Sequence, residues 1–394
     1  YRSPSPEYKE ELKQLLQKEA GYYKFLQFIF FTEWGRLKAY ANEKGIQIIG
    51  DIPIFVSMDS ADVWANKELF YLDEKGYPLS VAGVPPDYFS AAGQLWGNPL
   101  YAWDAHKNSD FSWWISRIRT QLKNLDILRI DHFRGFDACW SVPYGEPTAV
   151  NGHWAKVPGW DLFGAISQAL GDDLPIIAED LGIITDEVNA LREHFGFPGM
   201  KVLEFAFDSR DSGCASDYLP HNYPENCVAY TGTHDNETIK GWYASITAQE
   251  RKLARDYLCD SCTPASRLHM SFISLIMRSQ ARMCIIPLQD YLGLGNDCRI
   301  NTPSTVGENW NGSEGSSGSE AVGAGVSAAS AGGSAGSGEV SAPASLLPEA
   351  GSSTSDVPRH TSCEPEPKVT VTGWVPPSEE SAPSWNPVTS RPPV

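Results

Sequence analysis

Residues 127–135 read ILRIDHFRG, a short apolar run that ends in a crowd of charge: Arg129, Asp131, His132 and Arg134. A run of this length and β-branched content reads as a buried strand. Such strands usually finish in a neutral turn, so the charge needs a reason. Either Asp131 and its neighbours form a buried structural ion cluster, or Asp131 is a reactive carboxylate held in place by them.

The same pattern recurs along the chain, and the recurrence points to the fold. Similar runs are IQIIGDIPIF (46–55), LDILRID (125–131), PIIAEDL (175–181), MKVLEFAF (200–207), CVAYTGTHD (227–235) and RMCIIPLQD (282–290). Helical patterns at 7–43, 110–124, 159–170, 185–195, 247–258 and 266–280 fall between or beside them. Strands that are apolar throughout and alternate with helices imply parallel βα units. In four of the six the run ends in an acid: Asp51, Asp131, the pair Glu179–Asp180, and Asp235. A closed barrel gathers its C-terminal strand ends at one mouth, where catalytic groups sit. An open doubly wound sheet would instead call for a glycine-rich phosphate loop after its first strand, and none is present. The expected fold is therefore an α/β chain of (β/α)8 TIM-barrel type, with six of the eight units visible. The chain is expected to begin partway round the barrel.

Composition narrows the partners. The 394 residues carry a net charge of −18, which argues against a nucleic-acid or anionic-membrane partner. No run reaches the ~18–20 apolar residues of a membrane span; FLQFIFF (25–31) is too short and lies in what reads as an amphipathic helix. Of the eight cysteines only Cys259 and Cys262 form a CxxC, with no second pair at zinc spacing, so they read as free thiols of an intracellular protein. The sequons at Asn236 and Asn311 carry little weight without a secretory context.

Two regions differ from this frame. From Asn311 to Val394 the chain is rich in Gly, Ser, Ala and Pro, a composition expected to stay disordered. The expected division is thus a partial catalytic barrel over 1–310 and a low-complexity tail over 311–394. Between the first two strands, about 56–110 is far longer than an ordinary connection. It contains VPPDYFSAAGQLWGNPLYAWD (84–104), whose aromatics suit an ordered lid or a platform for sugar rings.

Several acids in one mouth support two chemistries: carboxylates that gather Mg²⁺, or glycosyl transfer by a nucleophile and a protonated acid roughly 5 Å apart. The neighbours fit the second. Arg129 lies two residues before Asp131, on the same strand face, and a guanidinium there favours the ionised nucleophile. Glu179 follows apolar PIIA, which favours its protonated form. In THDNET, His234 and Asp235 offer a hydrogen-bonding pair for sugar hydroxyls.

The motifs GDIPIFV, DSADVWA, GVPPDYFSAAGQLWGNPLYAWD, LRIDHFRGF, AEDLG, GMKVLEFAFD, LPHNYP, YTGTHDNET, QDYLGLG and NTPST resemble, in consistent order, those of the 4-α-glucanotransferases. These amylomaltases or disproportionating enzymes form glycoside hydrolase family 77 of the α-amylase-like group. The resemblance implies Asp131 as nucleophile, Glu179 as general acid/base and Asp235 as transition-state stabiliser. It further implies Arg129 and His234 as orienting residues, Asp87, Tyr88, Phe89, Gln94 and Trp96 as the loop covering the cleft, and Asn301 on the opposing loop. It implies no metal or cofactor, and maltooligosaccharides and α-1,4-glucans as partners. The place of action would be the plastid stroma in a plant or alga, and the cytoplasm otherwise. Relative to the family, two βα units before Tyr1 and a last helix are missing, so the chain as written is expected to be inactive and poorly soluble. The alternatives are a catalytically impaired glucan-binding protein and a metal-dependent barrel enzyme.

Overall fold

The structure, a computed structural model, describes residues 5–86, 90–182, 184–208, 215–303, 305, 309–310 and 369–372. Its strands are β1 (Ile49–Pro53), β2 (Ser80–Val84), β3 (Gln94–Pro99), β4 (Ile127–Asp131), β5 (Ala138–Pro143), β6 (His153–Lys156), β7 (Ile176–Ala178), β8 (Gly199–Val202), β9 (Cys227–Tyr230), β10 (Met283–Pro287) and β11 (Val369–Thr372). The helices are α1 (Pro6–Leu15), α2 (Gln17–Glu43), α3 (Ala61–Ala65), α4 (Trp103–Asn108), α5 (Ser112–Asn124), α6 (Gly159–Leu170), α7 (Asp186–His194), α8 (Ile239–Ser245), α9 (Ala248–Leu258), α10 (Leu268–Met277) and α11 (Leu288–Tyr291).

All six strands expected from the sequence are present and their pairings are parallel. β1, β4 and β7 form one ladder, and β8, β9 and β10 another. The two meet where the Ala178 N–H donates to the Pro198 carbonyl at 2.9 Å, beside β8. Strand alternation sorts the side chains into two layers. Leu128 and Ile130 of β4 are fully buried against helical residues such as Trp114, Ile118, Phe163 and Leu191. Leu203, Ala229 and Ile286 do the same against Trp242 and Phe272. On the opposite face Ile49, Ile127, Ile177, Met200, Val228 and Ile285, one from each of the six strands, share a separate apolar cluster. The six strands thus bury helices on one face and meet one another on the other.

Several boundaries differ from the sequence expectation. The run 200–207 is strand only to Val202; Leu203–Phe207 winds into a 3₁₀ turn that buries Leu203 and Phe207 against α9 and α10. The run 227–235 stops at Tyr230, because the chain must turn at once to present the residues that follow. The helix expected over 7–43 breaks at Leu16, and the amphipathic reading of 25–31 fails: α2 has no buried residue, and Phe25, Phe28, Phe30 and Phe31 are all exposed. Only its second half is anchored, by Trp34 Nε1 donating to the Asn124 carbonyl at 2.8 Å and Lys38 paired with Asp126 at 3.3 Å.

The long segment after β1 is ordered wherever it is described. It does not stand alone, however. β2 and β3 pair antiparallel, and β2 also pairs with β5, which pairs with β6, giving a small sheet in the order β3-β2-β5-β6. Half of this sheet therefore comes from 138–156, a hairpin beyond the expected 56–110. Of the tail, Val369–Thr372 alone is described, and it pairs parallel with the edge of β10. The rest of 311–394 lies outside the described residues, and so does the expectation of disorder there. Among the described residues, Cys139, Cys227, Cys259, Cys262 and Cys284 are free thiols.

Candidate active site

The parallel register brings the strand-end charges together. In β1 and β4, Asp51 stands opposite Arg129 and Pro53 opposite Asp131. Arg129 is 12% exposed at its side chain and bonds both carboxylates: Nη1 to Asp51, and Nη2 to Asp131 Oδ1 at 3.1 Å. Its Nε donates to the Met200 sulfur on β8 at 3.3 Å. Burial alone would make the guanidinium easier to deprotonate, but the negative charges of Asp51, Asp131 and Glu179 outweigh it and raise its pKa. Asp51 is pushed up by burial, with Arg129 pulling the other way. The ion cluster that the sequence offered as one reading is thus present, with Asp51 and Asp131 gathered around Arg129.

Glu179 follows β7 and sits behind Asp131. Its Oε2 accepts from the His132 N–H at 2.7 Å and its Oε1 from the Leu181 N–H at 3.0 Å. Two such bonds favour the charged carboxylate. Burial, reinforced by the charge of Asp131, nevertheless raises its pKa to about 7. His132 itself adopts a left-handed backbone, φ 55°. Such a conformation is uncommon outside glycine and gathers at functional sites. The next acid goes elsewhere: Asp180 pairs with Arg192 of α7 at 3.1 Å and accepts from the Met200 N–H at 2.7 Å.

The third carboxylate comes from the loop after β9. Asp235 Oδ1 accepts from Asn301 Nδ2 at 2.5 Å, and its Oδ2 lies 3.2 Å from His234 Nε2. Burial works to raise its pKa, yet the bonds from His234 and Asn301, with the charge of Arg129, leave it lowered. Its backbone carbonyl is held by Arg299 Nη2 at 2.9 Å, and Trp310 covers His234 with ring centroids 5.2 Å apart.

From the platform, Trp96 reaches this group. It is 37% exposed, and its ring meets that of His132 edge-on at 4.8 Å, with Gln94 Oε1 accepting from its indole N–H at 3.1 Å. Asp87, Tyr88 and Phe89 lie outside the described residues. A cavity lined by Asp51, Arg129, Met200, Tyr230, His234 and Ile285 opens between the strands beside these carboxylates. The structure therefore brings together Asp131, Glu179, Asp235, Arg129, His234, Asn301, Gln94 and Trp96. Sequence reasoning passed over His132, Tyr230 and Arg299. Only His132 carried a signal, its place inside the charged motif.

The family model described as 4-alpha-glucanotransferase matches residues 1–313. The chain is 54% identical over 297 residues to the 4-alpha-glucanotransferase of Synechocystis sp., covering 75% of this chain and 58% of that protein. It is 50% identical over 305 residues to that of Thermus thermophilus, covering 76% of this chain and 60% of the relative. Among solved structures it resembles the amylomaltase of Streptococcus agalactiae in complex with acarbose, with a TM-score of 0.74 and 45% identity over 78% of this chain and 61% of that one. The chain thus spans about three fifths of the relatives it matches. By this match, with the order of its motifs and the parallel wall that carries them, the chain belongs to the 4-α-glucanotransferase (amylomaltase) family.

Proposed function

We propose that this site performs retaining 4-α-glucan transfer, moving segments of α-1,4-glucan between maltooligosaccharides. The carrying observation is one acid held up to about 7 by burial, beside a carboxylate paired with arginine and facing another held low. Acids pushed apart in this way can divide the roles of proton donor and nucleophile. Glu179 gives its proton to the glycosidic oxygen while Asp131 attacks the anomeric carbon from the opposite face. The C–O bond to the leaving glucan breaks as the bond to Asp131 Oδ forms. Arg129 supplies the counter-charge at Asp131. The 4-hydroxyl of a second glucan then attacks the covalent intermediate, Glu179 takes back the proton, and two inversions give net retention. Asp235, steadied by Asn301 and His234, takes hydroxyl donors of the sugar in the strained ring. Trp96, against His132, is an apolar face that keeps water away from the intermediate. The wall of six parallel strands is, on this proposal, an arc of the eight-stranded barrel, and β2, β3, β5 and β6 form its lid.

The described residues hold no helix long and apolar enough to cross a membrane. Relatives from Solanum tuberosum and Arabidopsis thaliana are named chloroplastic/amyloplastic. The place we propose is the plastid in a plastid-bearing organism and the cytoplasm otherwise.

The test is incubation with maltotriose, measuring glucose and longer maltooligosaccharides, together with intact-mass detection of a glucosyl adduct formed from a glycosyl fluoride. Transfer or adduct that disappears in Asp131→Asn supports the proposal. Binding to amylose with neither transfer nor adduct would select an impaired glucan-binding protein instead.

A further inference from the structure

Behind the loop that carries His234 and Asp235 lies a second set of acids that the chemistry above leaves unused. Glu204, in the turn after β8, is 6% exposed, and its Oε1 is buried without a hydrogen-bond partner. Its backbone N–H donates to the Thr231 carbonyl at 3.3 Å. Its carboxyl lies against the Asn236 side chain. Asn236 in turn uses its Oδ1 to accept from the Thr233 N–H at 2.9 Å and the Thr233 hydroxyl at 2.7 Å. The loop is pressed close: a Cβ at Gly232 would stand 3.0 Å from Glu204 Oε1 and 3.1 Å from the Asn236 Cβ. Below, Asp290 is fully buried and takes the Thr231 hydroxyl at 2.5 Å and the Ile239 N–H at 2.8 Å, which fixes both ends of the loop.

We propose that Glu204 is a positioning residue: through Asn236 and the backbone at Gly232, its buried carboxyl sets the loop that places His234 and Asp235 against the sugar. This rests on the transfer reaction proposed above. Only Glu204 in this set reaches the middle of the loop, since Asp290 holds its ends and Arg299 grips Asp235 by its carbonyl. Burial, with the charges of Asp290 and Glu237, drives its pKa well above the usual carboxylate range, while Arg299 works the other way. A glutamine has the shape and polar atoms of the neutral acid, whereas a leucine has the volume without the polar atoms.

The experiment compares Glu204→Gln, Glu204→Leu and Asn236→Ala with the full chain. Two readouts are used: kcat and KM for maltotriose, and hydrogen exchange of the segment spanning residues 228–238. Glu204→Leu is expected to lower kcat by on the order of tenfold with KM changed by less than about threefold, because only the transition-state contacts of Asp235 are displaced. It should also speed exchange across the loop. Asn236→Ala should reproduce both effects if Glu204→Leu fails to fold, and Glu204→Gln should restore both. Unchanged kcat and exchange in Glu204→Leu or, where that variant does not fold, in Asn236→Ala would overturn the inference, as would a Glu204→Gln as impaired as the leucine variant. If the parent chain shows no transfer, the reaction proposed above fails, while the exchange comparison still decides the role of Glu204.

Discussion

Glu179 should cost the fold stability, and the cost should depend on pH in one direction. In the folded chain its pKa is raised from 4.5 to about 7. Ionising it there is harder than in the unfolded chain by ~3 kcal/mol at the 1.36 kcal/mol of each pH unit. The folded state therefore binds more protons than the unfolded state between those two values, and stability falls as pH climbs through that window. Above it the penalty is complete; below it, absent. Glu179→Gln removes the titration. The amide loses one of the two bonds that the carboxylate accepts from the His132 and Leu181 N–H groups, a cost of about 1 kcal/mol that does not vary with pH.

The difference in unfolding free energy between Glu179→Gln and the parent chain should thus move in favour of the variant by about 2–3 kcal/mol between pH 4.5 and 8. Urea unfolding at five or six pH values measures it, with the slope checked for constancy. The offset drops out because only the trend is read. A flat difference would mean that Glu179 ionises in the folded chain as readily as in the unfolded one, and the assignment of this residue as proton donor would lose its physical basis. The same proton should appear in catalysis: kcat/KM for transfer should fall along an alkaline limb centred near 7, where Glu179 ceases to be an acid.

Gly199→Ala should destabilise the chain by roughly 2–4 kcal/mol in urea, because the new Cβ would stand 2.2 Å from Asp180 Oδ2, which is fixed by Arg192 and the Met200 N–H. An unchanged midpoint would show that Asp180 can swing aside. Trp96→Ala, stripping the ring that lies 4.8 Å from His132, should lower the ratio of transfer to hydrolysis by on the order of tenfold while leaving the unfolding midpoint within about 1 kcal/mol. Glucose and longer products assayed side by side would show it, and an unaltered ratio would refute the role given to the platform.

The six strands were legible because each is apolar on both faces, and both faces are used: Ile130 against the helices, Ile127 against the other strands. The acids Asp51, Asp131 and Glu179 were legible for the same reason, since each interrupts or closes such an apolar run. Other features depend on contacts that no local pattern records. Nothing in LEFAF distinguishes strand from turn; the Glu204 N–H reaching the Thr231 carbonyl does. The hairpin formed by β5 and β6 alternates weakly in sequence, and its place was set by β2, more than fifty residues earlier. The left-handed backbone of His132 has no signature of its own, although the residue's N–H holds Glu179.

The two adjacent acids Glu179 and Asp180 show how far pattern alone can reach. Both end the same apolar run, and burial raises the pKa of both. Consecutive residues at a strand end point to opposite sides, so one must leave the mouth. Asp180 is the one that leaves, because Arg192 of α7 waits on that side at 3.1 Å. Its departure still serves the site. By accepting the Met200 N–H at 2.7 Å, Asp180 ties β8 to the end of β7, and the Met200 sulfur receives Arg129 Nε at 3.3 Å. Arg129 then lies 3.1 Å from Asp131. The acid turned away thus supports, through one methionine, the arginine that pairs with Asp131, so both carboxylates that end the run bear on the same cluster.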